Sequence, residues 1–157
     1  ILRRGSKILG ISFDEDGITE ISKRSRGTPR IANRLLKRAR DYATIKGNGI
    51  LDRKSVNGVL ELLGVDARGL DELDRSILNA IINFYNGGPV GIETLSLLLG
   101  EDKRTLEEVY EPYLVQIGFI KRTQRGRMVT ELAYKHLGIE KVIGDTTMKD
   151  NDGKRLF

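Results

Sequence analysis

Apolar positions recur along this chain first with a helical period and, late, with an alternating one. Ile31, Ala32, Leu35, Leu36, Ala39, Tyr42 and Ala43 predict a buried stripe on a helix from Pro29 to about residue 45. Arg30, Arg34, Lys37 and Arg38 fall on its opposite side. Before it, residues 1–9 read as the end of a helix closed by Gly10. A second helix is predicted over about 15–25, with Asp14 as cap, Ile18 and Ile21 inward and Gly27 at its end. Gly47-Asn48-Gly49 breaks the long helix. Asp52 then caps a fourth helix with Val56, Val59, Leu60, Leu62 and Leu63 inward, closed by Gly64. Four short helices bury little alone, so this unit is expected to lean on another domain.

Residues 65–70 form a short polar connector, too short for a free tether. Asp71 caps the next helix, with Leu73, Ile77, Leu78, Ile81, Ile82 and Tyr85 inward, and Gly87-Gly88-Pro89 stops it. A helix follows over 92–99, ending at Gly100. Another begins near residue 103 or 105 and runs to about 117, with Pro112 predicted to bend it. Then the period switches. Phe119-Ile120-Lys121-Arg122-Thr123 and Met128-Val129-Thr130 read as two strands around Gln124-Arg125-Gly126-Arg127, and a last helix spans 131–137. Three helices and a hairpin, in that order, are a winged helix. The predicted fold is mainly α: a four-helix domain over 1–64, the connector 65–70, a winged-helix domain with a β-hairpin wing over 71–140, and a polar tail over 141–157 expected to be disordered.

Composition narrows the chemistry. The 157 residues include no Cys, no Trp and one His, which excludes disulfides, thiolate metal sites and a His-based metal site. No apolar run approaches membrane-spanning length, and no signal peptide is visible. Ile1-Leu2-Arg3-Arg4 looks like the middle of an uncapped helix, as in a piece of a longer protein. Charge is uneven. Residues 1–64 carry 14 Lys and Arg against 7 Asp and Glu, a net of +7, while residues 65–143 carry 10 against 12, a net of −2. A basic balance of this kind suits an anionic partner.

Two places concentrate that balance. Thr28 and Pro29 mark a sharp helix start. Arg30 then stands in the first turn, where the helix dipole favours an acid. A solvated arginine on a basic helix satisfies the pattern, and so does an arginine joined there by a phosphate. The second place is the hairpin. Lys121, Arg122, Arg125 and Arg127 lie within seven residues of an otherwise acidic domain. The preceding helix carries Glu107, Glu108 and Glu111, which phosphates would repel, so DNA contact is expected from the wing and to the backbone. A solvated basic turn is the alternative.

The segments Arg26-Gly27-Thr28-Pro29-Arg30-Ile31-Ala32-Asn33-Arg34-Leu35, Gly87-Gly88-Pro89-Val90-Gly91, Glu111-Pro112-Tyr113-Leu114 and Arg125-Gly126-Arg127-Met128 resemble the RuvB family of AAA+ Holliday-junction motors over residues 1–140. The resemblance implies a small AAA+ lid followed by a winged-helix head. It implies that Arg30 is the sensor arginine that meets the nucleotide γ-phosphate, and that Arg122 and Arg127 contact DNA, with Arg125 beside them and Lys103 as a weaker basic contact. It further implies ATP or ADP with Mg²⁺ in the whole motor, a homohexamer, RuvA as partner through the ATPase domain, Holliday-junction DNA and its duplex arms as substrate, and a cytoplasmic location away from membranes. The chain holds no Gly-x-x-x-x-Gly-Lys-Ser/Thr loop, so no catalytic or metal residue is expected in it and it should not hydrolyse ATP alone. Two other classes stay open: a winged-helix replication initiator or transcription regulator, and a protein-interaction module. Glu107, Glu108 and Glu111 argue against a base-reading third helix, and the salt dependence of DNA binding separates the remainder.

Overall fold

The computed structural model describes residues 1–141. The expected tail therefore lies, apart from Lys141, outside the described residues. The chain runs α1 (Leu2–Ile8), β1 (Ser12–Phe13), α2 (Glu15–Arg24), α3 (Pro29–Lys46), β2 (Ile50–Leu51) and α4 (Arg53–Leu62). There follow α5 (Glu72–Tyr85), α6 (Ile92–Leu99), α7 (Lys103–Thr105), a π turn (Leu106–Tyr110), α8 (Glu111–Gln116), β3 (Ile120–Thr123), β4 (Gly126–Val129) and α9 (Glu131–Leu137).

Local chemistry sets most of these boundaries. The Asp14 carboxylate accepts the Gly17 N–H at 2.7 Å, and Asp52 accepts the Ser55 N–H at 2.7 Å, each satisfying an orphan donor of a helix start. Thr28 holds the N-cap position of α3 but does not cap with its side chain; its hydroxyl instead turns back to the Arg26 carbonyl at 3.4 Å. The stripe of α3 is buried as expected at Ala32, Leu35, Leu36, Ala39 and Ala43, and packs on Ile21, Leu51, Val56 and Leu60.

Three details depart from the periodic reading. Leu62 and Leu63 are exposed, because Leu62 lies about 200° round the helix from Leu60 and Leu63 is already past the last turn. Tyr85, at the very end of α5, is also exposed. Between α1 and α4, β1 and β2 pair in parallel, Ser12 with Ile50 and Phe13 with Leu51, where no strand was predicted.

The second core gathers Leu70, Leu78, Ile81, Leu95, Leu106 and Leu114 beneath the hairpin residues Ile120 and Val129. The segment around Pro112 is one continuous helical stretch over 103–116, as expected, but it carries a π turn inside it. The π turn ends at Tyr110, just before Glu111 and Pro112, and the widened turn accommodates the proline, which lacks an N–H to continue the regular helical bonding. The hairpin turn is also tighter than expected. Only Gln124 and Arg125 form it; Gly126 and Arg127 belong to β4, with Arg127 directly opposite Arg122. Val90 adds a third rung through its N–H to the Arg127 carbonyl at 3.0 Å and its carbonyl from the Arg127 N–H at 2.8 Å. Gly126 sits here with φ 132°, and a Cβ on it would collide with the Val90 carbonyl.

Candidate functional site

Two basic regions stand apart on the fold. In the first, α2 ends at Arg24 and the chain reverses through two left-handed residues, Arg26 (φ 58°) and Gly27 (φ 67°), into α3. Arg30 lies in the first turn of α3, exposed, with no acidic residue in that turn. Among the described residues it has no ion-pair partner. Beside the turn opens a cavity of about 410 Å³, walled by Leu2, Ile18, Pro29 and Ala32 and edged by Ser22 and Ser25.

Arg26 behaves differently. Its side chain is only 8% exposed, and its guanidinium donates to both oxygens of Asp74, at 2.9 and 3.3 Å. It also lies over the Tyr113 ring, 4.2 Å from the centroid. Asp74 is itself fully buried and serves as the reciprocal member of the α5 capping box, accepting the Asp71 N–H at 2.9 Å. Burial pushes its carboxyl up to about 7, against the Asp71 N–H and the Arg26 charge, which pull it down.

In the second region, Glu111 is the centre. It is buried at the start of α8 and receives Arg122 Nε at 2.9 Å and Arg127 Nη2 at 3.1 Å. Arg127 reaches Glu107 as well, at 3.4 Å. Arg122 keeps 64% of its side chain exposed, whereas Arg127 keeps 12%. Two of the three carboxylates expected to repel phosphate are thus occupied by the wing, and the third, Glu108, pairs with Arg104 at 3.0 Å. Lys103 is exposed and bound to Glu93 of α6 at 2.5 Å, which raises its pKa and lowers that of the glutamate. Arg125 and Lys121 are exposed and unpaired among the described residues.

The structure therefore brings Arg122 and Arg127 together on one carboxylate, leaves Arg125 at the tip, and sets Lys103 on a separate pair. Sequence reasoning missed the roles of Arg26 and Glu111. Arg26 lies 48 residues from Asp74, and no local pattern links them. The Asp71-to-Asp74 spacing of a capping box was the one available signal.

A four-helix domain joined to a winged helix with a basic wing defines the class: an AAA+ lid followed by a winged-helix domain. Residues 1–66 match the RuvB AAA lid domain, and residues 67–138 match the RuvB C-terminal winged helix domain. The chain belongs to the RuvB family. It is 71% identical over 136 residues to the Holliday junction branch migration complex subunit RuvB of Fusobacterium nucleatum, covering 87% of this chain and 41% of that protein. Identity to the subunit of the same name from Limosilactobacillus reuteri is 58% over 140 residues, covering 89% of this chain and 41% of that one. The solved Thermotoga maritima RuvB Holliday junction branch migration motor superposes with a TM-score of 0.85 at 49% identity, over 88% of this chain and 47% of that one. The chain spans about two-fifths of the length of the curated relatives it matches.

Proposed function

We propose that this chain is the nucleotide-sensing lid and DNA-gripping head of an ATP-driven Holliday junction branch migration motor. In this reading residues 1–64 are the lid, 65–70 the joint and 71–140 the head. The observation that carries it is Arg30: an exposed cation in the first turn of α3, with no acid beside it and no partner among the described residues. Such a position favours an anion, because the unpaired N–H groups of the first turn and the helix dipole both attract negative charge there. The apolar hollow alongside adds the second environment a nucleotide needs.

Bound nucleotide with Mg²⁺ supplies the hydrolysable phosphate, held chiefly by the ATPase domain that RuvB proteins carry. Arg30 meets that phosphate from the lid, so the lid's orientation depends on whether the phosphate is present. The head follows the lid, and the wing moves along with it. Arg122 and Arg125 face the DNA backbone, with Lys103 at the flank. Arg127 adds positive potential from beneath and shares the Glu111 carboxylate with Arg122. These contacts read phosphate and not sequence. A homohexamer, RuvA as partner through the ATPase domain and a cytoplasmic setting complete the reading. Lacking a P-loop, the chain by itself hydrolyses no ATP.

The test is Arg30→Ala in the RuvB protein that carries this chain. Junction movement and ATP turnover are expected to collapse while DNA binding persists. Undiminished ATP turnover would overturn the assignment.

A further inference from the structure

We propose that Arg26 is a positioning residue that pins the lid to the head, so that the turn bearing Arg30 and the first turn of α5 move as one body. Its use in the motor rests on the reading of Arg30 above; the mechanical claim stands on this chain alone.

The connector is the obvious candidate for transmitting motion, but the side chains bypass it. Arg26 takes a left-handed backbone conformation that an L residue adopts only when its surroundings enforce it. Its buried charge requires a partner, and the partner is Asp74 in the first turn of α5. Tyr113 of α8 covers the guanidinium from the other side. Its hydroxyl donates to the Arg68 carbonyl at 2.5 Å, which ties the aromatic ring to the joint. Two elements of the head, α5 and α8, thus converge on one lid side chain, and Tyr113 links them to the joint.

The backbones meet as well. Gly69 has φ 78°, and a Cβ there would stand 2.8 Å from the Arg24 carbonyl oxygen. Arg24 donates to the Asp66 carbonyl at 3.0 Å. On the lid side, the turn is bonded to itself: the Thr28 N–H reaches the Ser25 carbonyl at 3.0 Å, and the Ala32 N–H reaches the Thr28 carbonyl at 3.0 Å. No slack separates the Arg26 backbone from the start of α3, where Arg30 sits. A guanidinium fork suits this task because two parallel bonds fix orientation as well as distance.

The experiment uses the 157-residue chain. Thermal unfolding of the parent is expected as one transition, because lid and head are cooperative through the pin. Arg26→Met keeps the aliphatic stem, removes the fork, and should split unfolding into two transitions. Hydrogen exchange should show the amides of the α3 and α5 first turns losing protection together, by about tenfold or more, while the Ser55 amide, bonded to the Asp52 cap of α4, keeps its own. Arg26→Lys should restore one transition only in part. Tyr113→Leu, which leaves the ion pair in place, should give a milder loss of the same kind and serves if Arg26→Met does not fold. A contact that merely stabilises would lower a single transition without splitting it, and that result overturns the proposal, as would two transitions in the parent. Arg30→Ala should leave unfolding in one step, so failure of the nucleotide reading and failure of the pin are seen in different measurements.

Discussion

Glu111 and Arg30 illustrate how differently two charged residues can be set by their surroundings. Arg30 was legible in the sequence because its oddity is local: a cation where the helix dipole prefers an acid. Glu111 was not. On a helical projection it counts as one more acid on an acidic helix, and only the folded hairpin places Arg122 at 2.9 Å and Arg127 at 3.1 Å from it. Arg127 was likewise expected at the hairpin tip and is found in β4, turned inward. Glu111→Gln follows from this arrangement. It keeps the shape, removes the charge that balances two guanidiniums, and leaves Arg127 buried with Glu107 alone. Stability should fall by about 1–3 kcal/mol, the cost of under-satisfying a buried charged hydrogen bond. DNA affinity at low salt should rise, because the wing becomes more positive. Thermal melts and a salt titration of duplex binding measure the two effects, and a loss of affinity with the loss of stability would show that Glu111 orients the wing arginines more than it masks them.

Helices announced themselves through caps and stripes, and the ends of α3, α6 and α9 lie at or within a residue of their expected places. The elements that were missed are those whose reason is not local. β1 and β2 have two residues each and exist only because α2 and α4 bring them side by side, which no window of sequence reports. The π turn before Pro112 reconciles a proline inside a helix, with no N–H to give, with the burial of Leu106 and Leu114 in one core. Caps give the sharpest test at this scale. Thr28 and Asp71 both occupy N-cap positions, yet Thr28 accepts no hydrogen bond there and Asp71 accepts the Asp74 N–H at 2.9 Å. Thr28→Ala should therefore change stability by no more than a few tenths of a kcal/mol, while Asp71→Ala should cost about 1 kcal/mol. Urea unfolding of both variants checks the contrast. Equal losses would mean that the Thr28 hydroxyl serves the turn in solution.

Charge at the scale of the whole molecule is divided, and the division makes the DNA reading testable. The lid carries most of the positive excess, and the head is negative outside its wing. If DNA were held by the summed field, the lid face of Arg34, Lys37 and Arg38 would matter most, since all three are exposed. If the wing grips, location decides and net charge does not. Counterion release separates these cases, because each phosphate neutralised adds about 0.9 to the slope of log affinity against log salt on duplex DNA. Replacing Arg34, Lys37 and Arg38 with Gln should leave that slope unchanged. Replacing only Arg122 and Arg125 with Gln should lower it by about 1.8, by the same amount for duplexes of unrelated sequence. A slope that fell on removing Arg34, Lys37 and Arg38 and stayed unchanged on removing Arg122 and Arg125 would assign the grip to the lid and leave the wing as a solvated turn.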